Sequence, residues 1–301
     1  MSRRALLLFA AMCVIWGIPY LFIRVAVHEM SPAVLVFSRT LLGAAILLPI
    51  ALARREVLPA LVRWRPLLLF AALEIAIPWL ALSSAEEHIS SSLAGLLIAA
   101  VPLVTTVASP LVGNKEHLGP LNIAGLAVGF AGVAAIVGFD FQSSGVLPLL
   151  EMAAVVVGYS VAPAVLVKYL AGVPSMGVTA VALTVCALGY APVAALTWPA
   201  AAPGLDGVAA VVVLAVVCTA VGFLCFFALI GEVGAVRATV ITYINPAVAA
   251  VLGIAVLRES FTIGMGIGFV LVLAGSVLAT RRAHAMPAPE PAELAVSGGP
   301  R

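Results

Sequence analysis

Ten apolar segments, each about 20 residues long, follow one another along this chain with little between them. Hydrophobic residues make up 64% of the 301 residues and charged residues only 9%, whereas a soluble domain carries about 25% charged residues. So few charges cannot cover a globular surface, and lipid must be the solvent. Because lipid offers backbone groups no partner, each segment is predicted to be a transmembrane helix. The predicted fold is an all-α polytopic membrane protein with ten spans, at 5–27, 33–53, 66–84, 91–112, 121–139, 146–168, 175–197, 208–229, 236–257 and 262–280.

The basic residues are unequally distributed between the two ends of these spans. With the amino terminus placed in the cytoplasm, twelve of the 15 lysines and arginines fall on the inner side. Only Arg24 and Arg258 lie at outer ends, and Arg39 lies within the second span. An excess of lysine and arginine is typical of cytoplasmic loops. The sequence therefore predicts a multi-pass protein of the cell membrane with both termini in the cytoplasm.

One passage of the chain occurs twice. Pro102 in the fourth span is followed 14 residues later by Glu116, and Pro246 in the ninth span is followed 13 residues later by Glu259. In each copy a glycine comes nine residues after the glutamate, and another glycine comes seven residues after that. The two prolines are 144 residues apart, which indicates an internal duplication.

Duplication of a ten-span chain gives two repeats of five spans. Five is an odd number, so the second repeat is inverted in the membrane relative to the first. We assign the first repeat to residues 5–139, the second to 146–280, and a disordered cytoplasmic tail rich in proline and alanine to 283–301. Inverted repeats are typical of secondary transporters, whose substrate site lies near the middle of the membrane between the repeats.

Three blocks near the amino terminus carry a family resemblance. The first span reads Ile15-Trp16-Gly17-Ile18-Pro19-Tyr20-Leu21-Phe22-Ile23-Arg24, and Ser31-Pro32 and Phe37-Ser38-Arg39 follow it. These blocks resemble the opening of EamA-type transporters of the drug/metabolite transporter superfamily, and the duplicated passages resemble the closing spans of each EamA repeat. The resemblance covers residues 5–280. It implies a ten-helix carrier of two inverted repeats that often exports amino acids or other small metabolites and has no bound cofactor.

Three charged residues lie well inside the predicted spans, away from their ends, and a charge costs about 2.5–3.5 kcal/mol at mid-helix. Arg39 and Glu151 lie about six and five residues from the outer ends of their spans, so a salt bridge or a shared substrate site is open to them. Glu74 lies eight residues into the third span, nearest the middle of the membrane, where burial disfavours a carboxylate. We expect Glu74 to exchange a proton or touch substrate, and Arg39 to orient an anionic group. The alternative is a fixed pair between Arg39 and a glutamate, which would only hold helices together.

Prolines and aromatic residues complete the predicted substrate pathway. Pro102 and Pro246 are related by the repeat, and each removes one backbone hydrogen bond, so that a freed carbonyl facing a cavity can bind a polar ligand. Asn245 offers a polar group beside the second of them, and a plain packing kink is the alternative. Aromatic side chains add further candidates for lining the pathway: Trp16, Tyr20, Trp79, Tyr159 and Tyr243.

Other conspicuous residues are interpreted as scaffold. Glu116 and Glu259 lie at helix boundaries just before the next span, where a cap on the incoming helix is the favoured interpretation. Glu86-Glu87-His88 is interpreted as a solvated turn in an outer loop, with a vestibule that attracts cations as the alternative. The glycines that follow the two glutamates are predicted to form helix-packing faces: Gly125, Gly129, Gly132, Gly264, Gly268 and Gly275.

These features predict a secondary transmembrane transporter that works by alternating access and exports small metabolites such as amino acids. A proton-coupled multidrug efflux carrier is the runner-up, although the first helix lacks the glutamate of small multidrug pumps resembling this superfamily. An intramembrane enzyme would need a catalytic group of residues inside the spans, but both aspartates and all four histidines lie outside them. A channel is a further alternative, and it would give flux without coupling, whereas a carrier saturates and shows counterflow.

The predicted partners are a small-molecule substrate and the lipid bilayer, with protons as a candidate coupling ion. No enzymatic activity, cofactor, metal site or nucleic-acid partner is predicted. The oligomeric state is left open.

Overall fold

The computed structural model describes residues 2–109 and 118–280, with the backbone alone described at 139–144 and 235–236. Within these residues the chain forms ten apolar helical spans and no β-strand, which confirms the predicted all-α polytopic architecture. We number the spans as follows: α1 Arg3–Val27, α2 Pro32–Ala53, α3 Trp64–Ala85, α4 Ser91–Ala108, α5 Pro120–Ser144, α6 Val146–Tyr169, α7 Ser175–Leu196, α8 Leu205–Val233, α9 Thr239–Leu257 and α10 Ile263–Ala279.

The observed helices differ from the predicted spans mainly at their ends. The sequence predicts a loop at 140–145, whereas α5 continues to Ser144 and only Gly145 separates it from α6. Gly145 has a φ of +74°, which glycine adopts readily because it lacks a Cβ. Polar residues suggested the loop, but a helix that has left the lipid no longer needs apolar residues. Glu116 and the predicted tail at 283–301 lie outside the described residues.

Three spans are interrupted next to a proline. α1 restarts at Pro19, α4 restarts one residue before Pro102, and α9 restarts one residue before Pro246. Proline has no N–H to donate and disfavours a helical conformation in the residue before it. Pro163, by contrast, lies within the continuous α6. The two repeat-related prolines therefore mark the same interruption in both halves.

α3 and α8, the third span of each half, both contain a π-helical segment. The segments are Ala72–Ala76 in α3 and Val213–Val221 in α8. Hydrophobicity does not predict them, because a π turn requires no particular residue type. π-helical turns are rare and occur frequently at functional sites. The halves thus share local backbone distortions as well as the order of their helices.

The spans pack in pairs that follow the repeat. α2 packs on α7, α4 on α9 and α5 on α10, so these three spans contact their own counterparts. α1 packs on α8 and α3 packs on α6, which pairs the first span of each half with the third span of the other. Such pairing is expected when a two-fold axis relates two five-helix units. With five spans in each unit, the axis lies in the plane of the membrane.

Glycines bring α5 and α10 into backbone contact. A Cβ added at Gly132 would lie 2.7 Å from the Gly268 carbonyl oxygen and 2.7 Å from the Val272 amide nitrogen. A Cβ added at Gly275 would overlap the backbone of Gly129. These contacts confirm the prediction that the glycines form packing faces, because only a residue without a side chain permits this approach.

Gly132→Ala is expected to destabilise the protein by about 1–3 kcal/mol, because the added methyl group would overpack against backbone atoms that cannot move aside. Gly138→Ala is the matched control, since a Cβ at that position on the same helix meets nothing within 4 Å. The measurement is thermal unfolding of the purified protein in detergent, followed by tryptophan fluorescence. Equal transition temperatures for the two variants would contradict the close α5–α10 contact.

The two ends of the bundle each carry contacts between the halves. At the end that holds the amino terminus, here called the amino-terminal face, Arg4 Nη1 of α1 lies 3.4 Å from Glu232 Oε1 of α8. At the opposite end, here called the Glu86 face, the Gly204 amide before α8 donates to Glu29 Oε2 after α1 at 3.0 Å. The two halves therefore contact each other at both ends of the helix bundle.

Candidate functional site

Arg39 lies where α2, α3 and α8 meet. Its side chain is only 7% exposed. Arg39 Nε donates to Thr219 Oγ1 of α8 at 3.0 Å, and the guanidinium carbon lies 3.6 Å from the centroid of the Trp79 ring of α3. An aromatic face attracts a cation, and most strongly where water is excluded. The charge is thus held by an aromatic face from the first half and a hydroxyl from the second.

The π-helical segment of α8 positions the hydroxyl that receives Arg39. Thr219 is fully buried, and its hydroxyl donates to the Leu214 carbonyl oxygen, five residues back, at 2.8 Å. Because a hydroxyl has one proton, Thr219 can only accept from Arg39 once that proton is engaged. The bond from the Thr219 hydroxyl to the Leu214 carbonyl oxygen therefore fixes the direction of the Thr219–Arg39 hydrogen bond.

The π-helical segment of α3 carries Glu74 and ends three residues before Trp79. The Tyr190 hydroxyl of α7 donates to the Ala76 carbonyl oxygen at the end of this segment, at 2.9 Å. A side chain from the neighbouring helix therefore satisfies a carbonyl that the irregular turn exposes. Glu74 itself accepts no hydrogen bond from any residue that the structure describes.

Two tyrosines complete the surroundings of Arg39. Tyr159 of α6 and Tyr20 of α1 are both close enough to the Arg39 guanidinium to interact with it electrostatically. Tyr159 is also close enough to Glu74 for the two side chains to interact electrostatically. Tyr159 is therefore a neighbour of both the buried guanidinium and the Glu74 carboxyl, which is partly buried.

Trp16 of α1 contacts α8 next to Thr219. It lies at the interruption of α1, and its Nε1 donates to the Cys218 carbonyl oxygen in the π-helical segment at 3.2 Å. Its ring lies 5.8 Å from that of Phe223, edge to face, and 4.6 Å from that of Phe226. A buried indole N–H normally needs a partner, and here the wide turn of α8 supplies it. We call the assembled residues the Arg39 cluster: Trp16, Tyr20, Arg39, Glu74, Trp79, Tyr159 and Thr219.

Most donors of Arg39 remain unused. In the described part of the chain, neither terminal nitrogen of Arg39 makes a hydrogen bond and no carboxylate lies within 4.0 Å of the guanidinium. The fixed pair of Arg39 with a glutamate, one of the two interpretations above, is therefore absent there. Glu151 instead accepts from the Ser84 hydroxyl at 2.7 Å and lies outside the cluster. The free guanidinium edge has the planar geometry that binds a carboxylate through two hydrogen bonds.

Pro102 marks a bend whose neighbouring carbonyl is already occupied. The Ser160 hydroxyl of α6 lies 3.1 Å from the Val101 carbonyl oxygen and 2.6 Å from that of Val156, one turn earlier in α6. The contact ties α6 of the second half to the interruption in α4. The occupied carbonyl is that of Val101, whereas the carbonyl that Pro102 leaves without its helical partner belongs to Ile98, four residues earlier.

The counterpart at Pro246 is similarly closed. With its amide nitrogen turned toward two carbonyls, Asn245 donates to Cys13 of α1 and to Ile241, both at 3.0 Å. Asn245 is 7% exposed. These hydrogen bonds fasten the start of α9 to α1 just before that helix is interrupted. Tyr243 lies in the same turn, is partly exposed, and does not belong to the Arg39 cluster.

Sequence reasoning missed Thr219, although one signal was present. It is the only hydroxyl-bearing residue in the predicted eighth span at 208–229. An isolated hydroxyl in an apolar helix is usually satisfied by its own backbone, so the residue type alone does not identify an arginine partner. Its role depends on a contact between residues 180 positions apart.

Glu259 caps a different helix from the predicted one. Its carboxylate accepts from the Ser91 and Ser92 amides at 2.8 and 2.9 Å and from the Ser92 hydroxyl at 2.5 Å, all at the start of α4. The incoming α10 is capped instead by Thr262, whose hydroxyl accepts from the Met265 amide at 3.2 Å. The capping role is confirmed but the helix was wrong, because only the packing of α9 on α4 brings this carboxylate to the other half.

The turn Glu86-Glu87-His88 is solvated only in part. Glu87 and His88 are exposed, but the Glu86 side chain is 0% exposed. Arg24 of α1 donates to the backbone carbonyl of Glu86 and not to its carboxylate. The interpretation as a solvated turn is therefore wrong for Glu86, whose side chain points inward from the end of α3.

Across the described residues, no group of three histidine, cysteine, aspartate or glutamate side chains is placed to hold a metal ion. The polar chemistry of the Arg39 cluster is that of one cation, one carboxyl and several aromatic faces. Such a set can recognise a small charged molecule by hydrogen bonds and stacking.

The fold and the Arg39 cluster define a class of protein: a multi-pass membrane transporter whose two five-helix halves enclose a charged site. The model of the EamA-like transporter family matches residues 3–138 and 147–281. The chain belongs to this family, as its opening blocks and duplicated passages suggested. Its substrate is a small molecule, and its place is in a membrane.

Similar proteins agree with this assignment. The uncharacterized inner membrane transporter YedA of Escherichia coli K12 is 31% identical over 264 residues, which cover 83% of each chain. The uncharacterized transporter YvbV of Bacillus subtilis 168 is 25% identical over 296 residues, which cover 95% of each chain. A solved crystal structure has the same fold, with a TM-score of 0.67 and 24% sequence identity. The match covers 93% of this chain and 98% of the chain in that structure.

Proposed function

We propose that this protein is a secondary carrier that exports a small zwitterionic metabolite, such as an amino acid, by alternating access between its two halves. The observation that carries the proposal is the buried guanidinium of Arg39, which is held from one edge and keeps its terminal nitrogens unpaired. A charge in this position is costly unless something pairs with it. A transported carboxylate would supply that pair.

The second charge of a zwitterion fits Glu74. This carboxyl shares with Arg39 the neighbouring Tyr159, and it has no hydrogen-bond partner among the described residues. An amino acid would present its carboxylate to Arg39 and its ammonium to Glu74, so that both buried charges are neutralised at once. Of the two roles open to Glu74, its membership of the Arg39 cluster favours contact with substrate over proton exchange.

Alternating access requires positions where the helices can bend. The interruptions beside Pro102 and Pro246 occur at equivalent places in the two halves, as do the π-helical segments of α3 and α8. Broken helices at the interface between repeats are common in secondary transporters. We infer that these four positions absorb the rocking of one half against the other, and that the contacts at the two faces form and break in turn.

We further propose that the amino-terminal face lies in the cytoplasm, because twelve of the 15 basic residues then fall on the inner side. Reporter tags inserted at Arg55 and at Glu87, both exposed, are expected to appear in opposite compartments. The tag at Arg55 is expected on the cytoplasmic side. Detection of both tags in the same compartment would overturn the two inverted five-span units.

The function is tested by transport with purified protein. Metabolites that accumulate inside cells lacking the protein, and outside cells overproducing it, identify the compounds to use. Each is then loaded into proteoliposomes, and uptake of the labelled compound is followed. A carrier for zwitterions is expected to show saturable counterflow with amino acids and none with organic cations. Counterflow of organic cations alone would favour a multidrug carrier, and flux without counterflow would favour a channel.

A further inference from the structure

Glu86 is a buried carboxyl without a partner. Its side chain is 0% exposed, and neither carboxylate oxygen makes a hydrogen bond in the described structure. The residue lies at the end of α3, where the first half meets the second at the Glu86 face. A buried ionised carboxylate without hydrogen bonds is strongly disfavoured, so a cation must neutralise this group while the face is closed.

The neighbours of Glu86 come from both halves. Arg24 and Tyr20 of α1 and Glu259 of the second half are the titratable or charged groups that act on it. Arg24 uses a terminal nitrogen on the backbone carbonyl of Glu86, not on its carboxylate. Burial raises the pKa of Glu86 well above its usual range, the charge of Glu259 raises it further, and Arg24 opposes them.

Glu259 differs from Glu86 in its hydrogen bonds. Its two carboxylate oxygens accept three hydrogen bonds from Ser91 and Ser92 at the start of α4. The two carboxylate oxygens of Glu86, by contrast, make no hydrogen bond in the described structure. Two carboxylates facing each other across the halves cannot both be ionised without repulsion, so the neutral member is Glu86.

We propose that the Glu86 carboxyl is a proton-binding site that governs the Glu86 face. With the proton bound, the two halves close against each other there. Release of the proton places two negative charges, Glu86 and Glu259, on opposite sides of the contact, and their repulsion opens it. The chemistry is a simple transfer of H⁺ between the carboxyl group and water, with no other reactant.

This site is connected to the Arg39 cluster through one residue. Tyr20 lies within electrostatic reach of both Glu86 and Arg39, so loss of the proton at one site changes the field at the other. The inference rests on the proposed alternation between halves and adds the proton as the ion that biases it. Protonation stabilises the closed face at low pH, and this stabilisation is lost as the pH rises through the raised pKa of Glu86.

The test measures the width of the face directly. Spin labels are placed at His88→Cys in the first half and Phe261→Cys in the second, both exposed positions, in protein whose four native cysteines are replaced. The distance between the labels is followed by electron paramagnetic resonance from pH 5 to pH 9 in lipid nanodiscs, without substrate. The distance distribution is expected to shift to larger values as the pH rises.

Three variants assign the effect to one carboxyl. Glu86→Gln, a permanently neutral analogue, is expected to keep the short distance at every pH, while Glu87→Gln, an exposed neighbour, leaves the pH response unchanged. Glu259→Gln is expected to reduce or abolish the widening at high pH, because it removes the second charge whose repulsion opens the face, and it serves if Glu86→Gln does not fold. An unchanged pH response in Glu86→Gln, a widening of parental size in Glu259→Gln, or no response in the parent protein overturns the proposal. Because no transport is measured, a failed counterflow assay beside an intact pH response would refute the proposed function alone.

Discussion

Arg39→Ala is expected to lower counterflow of the substrate at subsaturating concentration by about 30-fold or more. Removing one member of a buried, hydrogen-bonded charge pair costs about 2–5 kcal/mol, and this arginine is the only cation that lies well away from the ends of a predicted span. Arg39→Lys is expected to recover only part of the loss. Lysine keeps the charge, but it lacks the planar fork that binds a carboxylate and stacks on Trp79. The measurement is the initial rate of counterflow in proteoliposomes.

Arg65→Ala is the matched control for this prediction. Arg65 also lies over a tryptophan, 5.2 Å from the centroid of the Trp64 ring, but both side chains are exposed at the start of α3. An exposed cation–aromatic contact contributes only about 0.5–1 kcal/mol, and transport should therefore survive its loss. If Arg65→Ala and Arg39→Ala reduced counterflow equally, the special role of the buried arginine would be refuted.

Glu74→Gln is expected to raise the substrate concentration needed for half-maximal counterflow by about tenfold or more. The amide keeps the size of the carboxyl but loses its charge, and a hydrogen bond to a charged group contributes about 1.5–3 kcal/mol. The loss should be confined to substrates that carry an ammonium group, since only these would contact Glu74. The experiment compares each amino acid with its analogue lacking the amine, in parent and variant proteoliposomes.

Glu87→Gln provides the control, because this carboxyl is exposed beyond the end of α3. The pH profile of the same assay separates the two roles that the sequence left open for Glu74. A variant that transports with unchanged affinity but has lost all pH dependence would identify Glu74 as a proton exchanger. Equal losses for substrates with and without an ammonium group would remove Glu74 from the substrate site.

Several parts of this protein follow from local properties of the chain. The ten spans are recognisable because lipid requires about 20 consecutive apolar residues to satisfy a spanning helix. The inverted halves follow from the spacing of Pro102 and Pro246 and from an odd number of spans per repeat. The glycine faces of α5 and α10 are equally local, because small residues in series permit close packing whichever helix is the partner.

The Arg39 cluster shows where sequence reasoning was sufficient and where it failed. Charges and aromatic residues inside spans identified Arg39, Glu74 and Trp79, because each is costly or unusual in lipid. The same reasoning left a salt bridge open between Arg39 and Glu151 on the basis of depth alone. In the folded chain Glu151 bonds to Ser84 instead, since equal depth does not specify which faces of two helices meet.

The sequence by itself thus determined the helices, their number, the repeat and the rare charges, all of which depend on the solvent around a segment. Only the tertiary structure decided the partners: Thr219 for Arg39, the start of α4 for Glu259, and the buried position of Glu86. The physical reason is that a hydrogen bond forms only when two atoms lie about 3 Å apart in space. These partners are far apart along the chain, 180 positions for Arg39 and Thr219 and 168 for Ser91 and Glu259, so nothing in the local sequence shows that they meet. Their meeting depends on how two five-helix units pack and on where π-helical turns rotate the side chains.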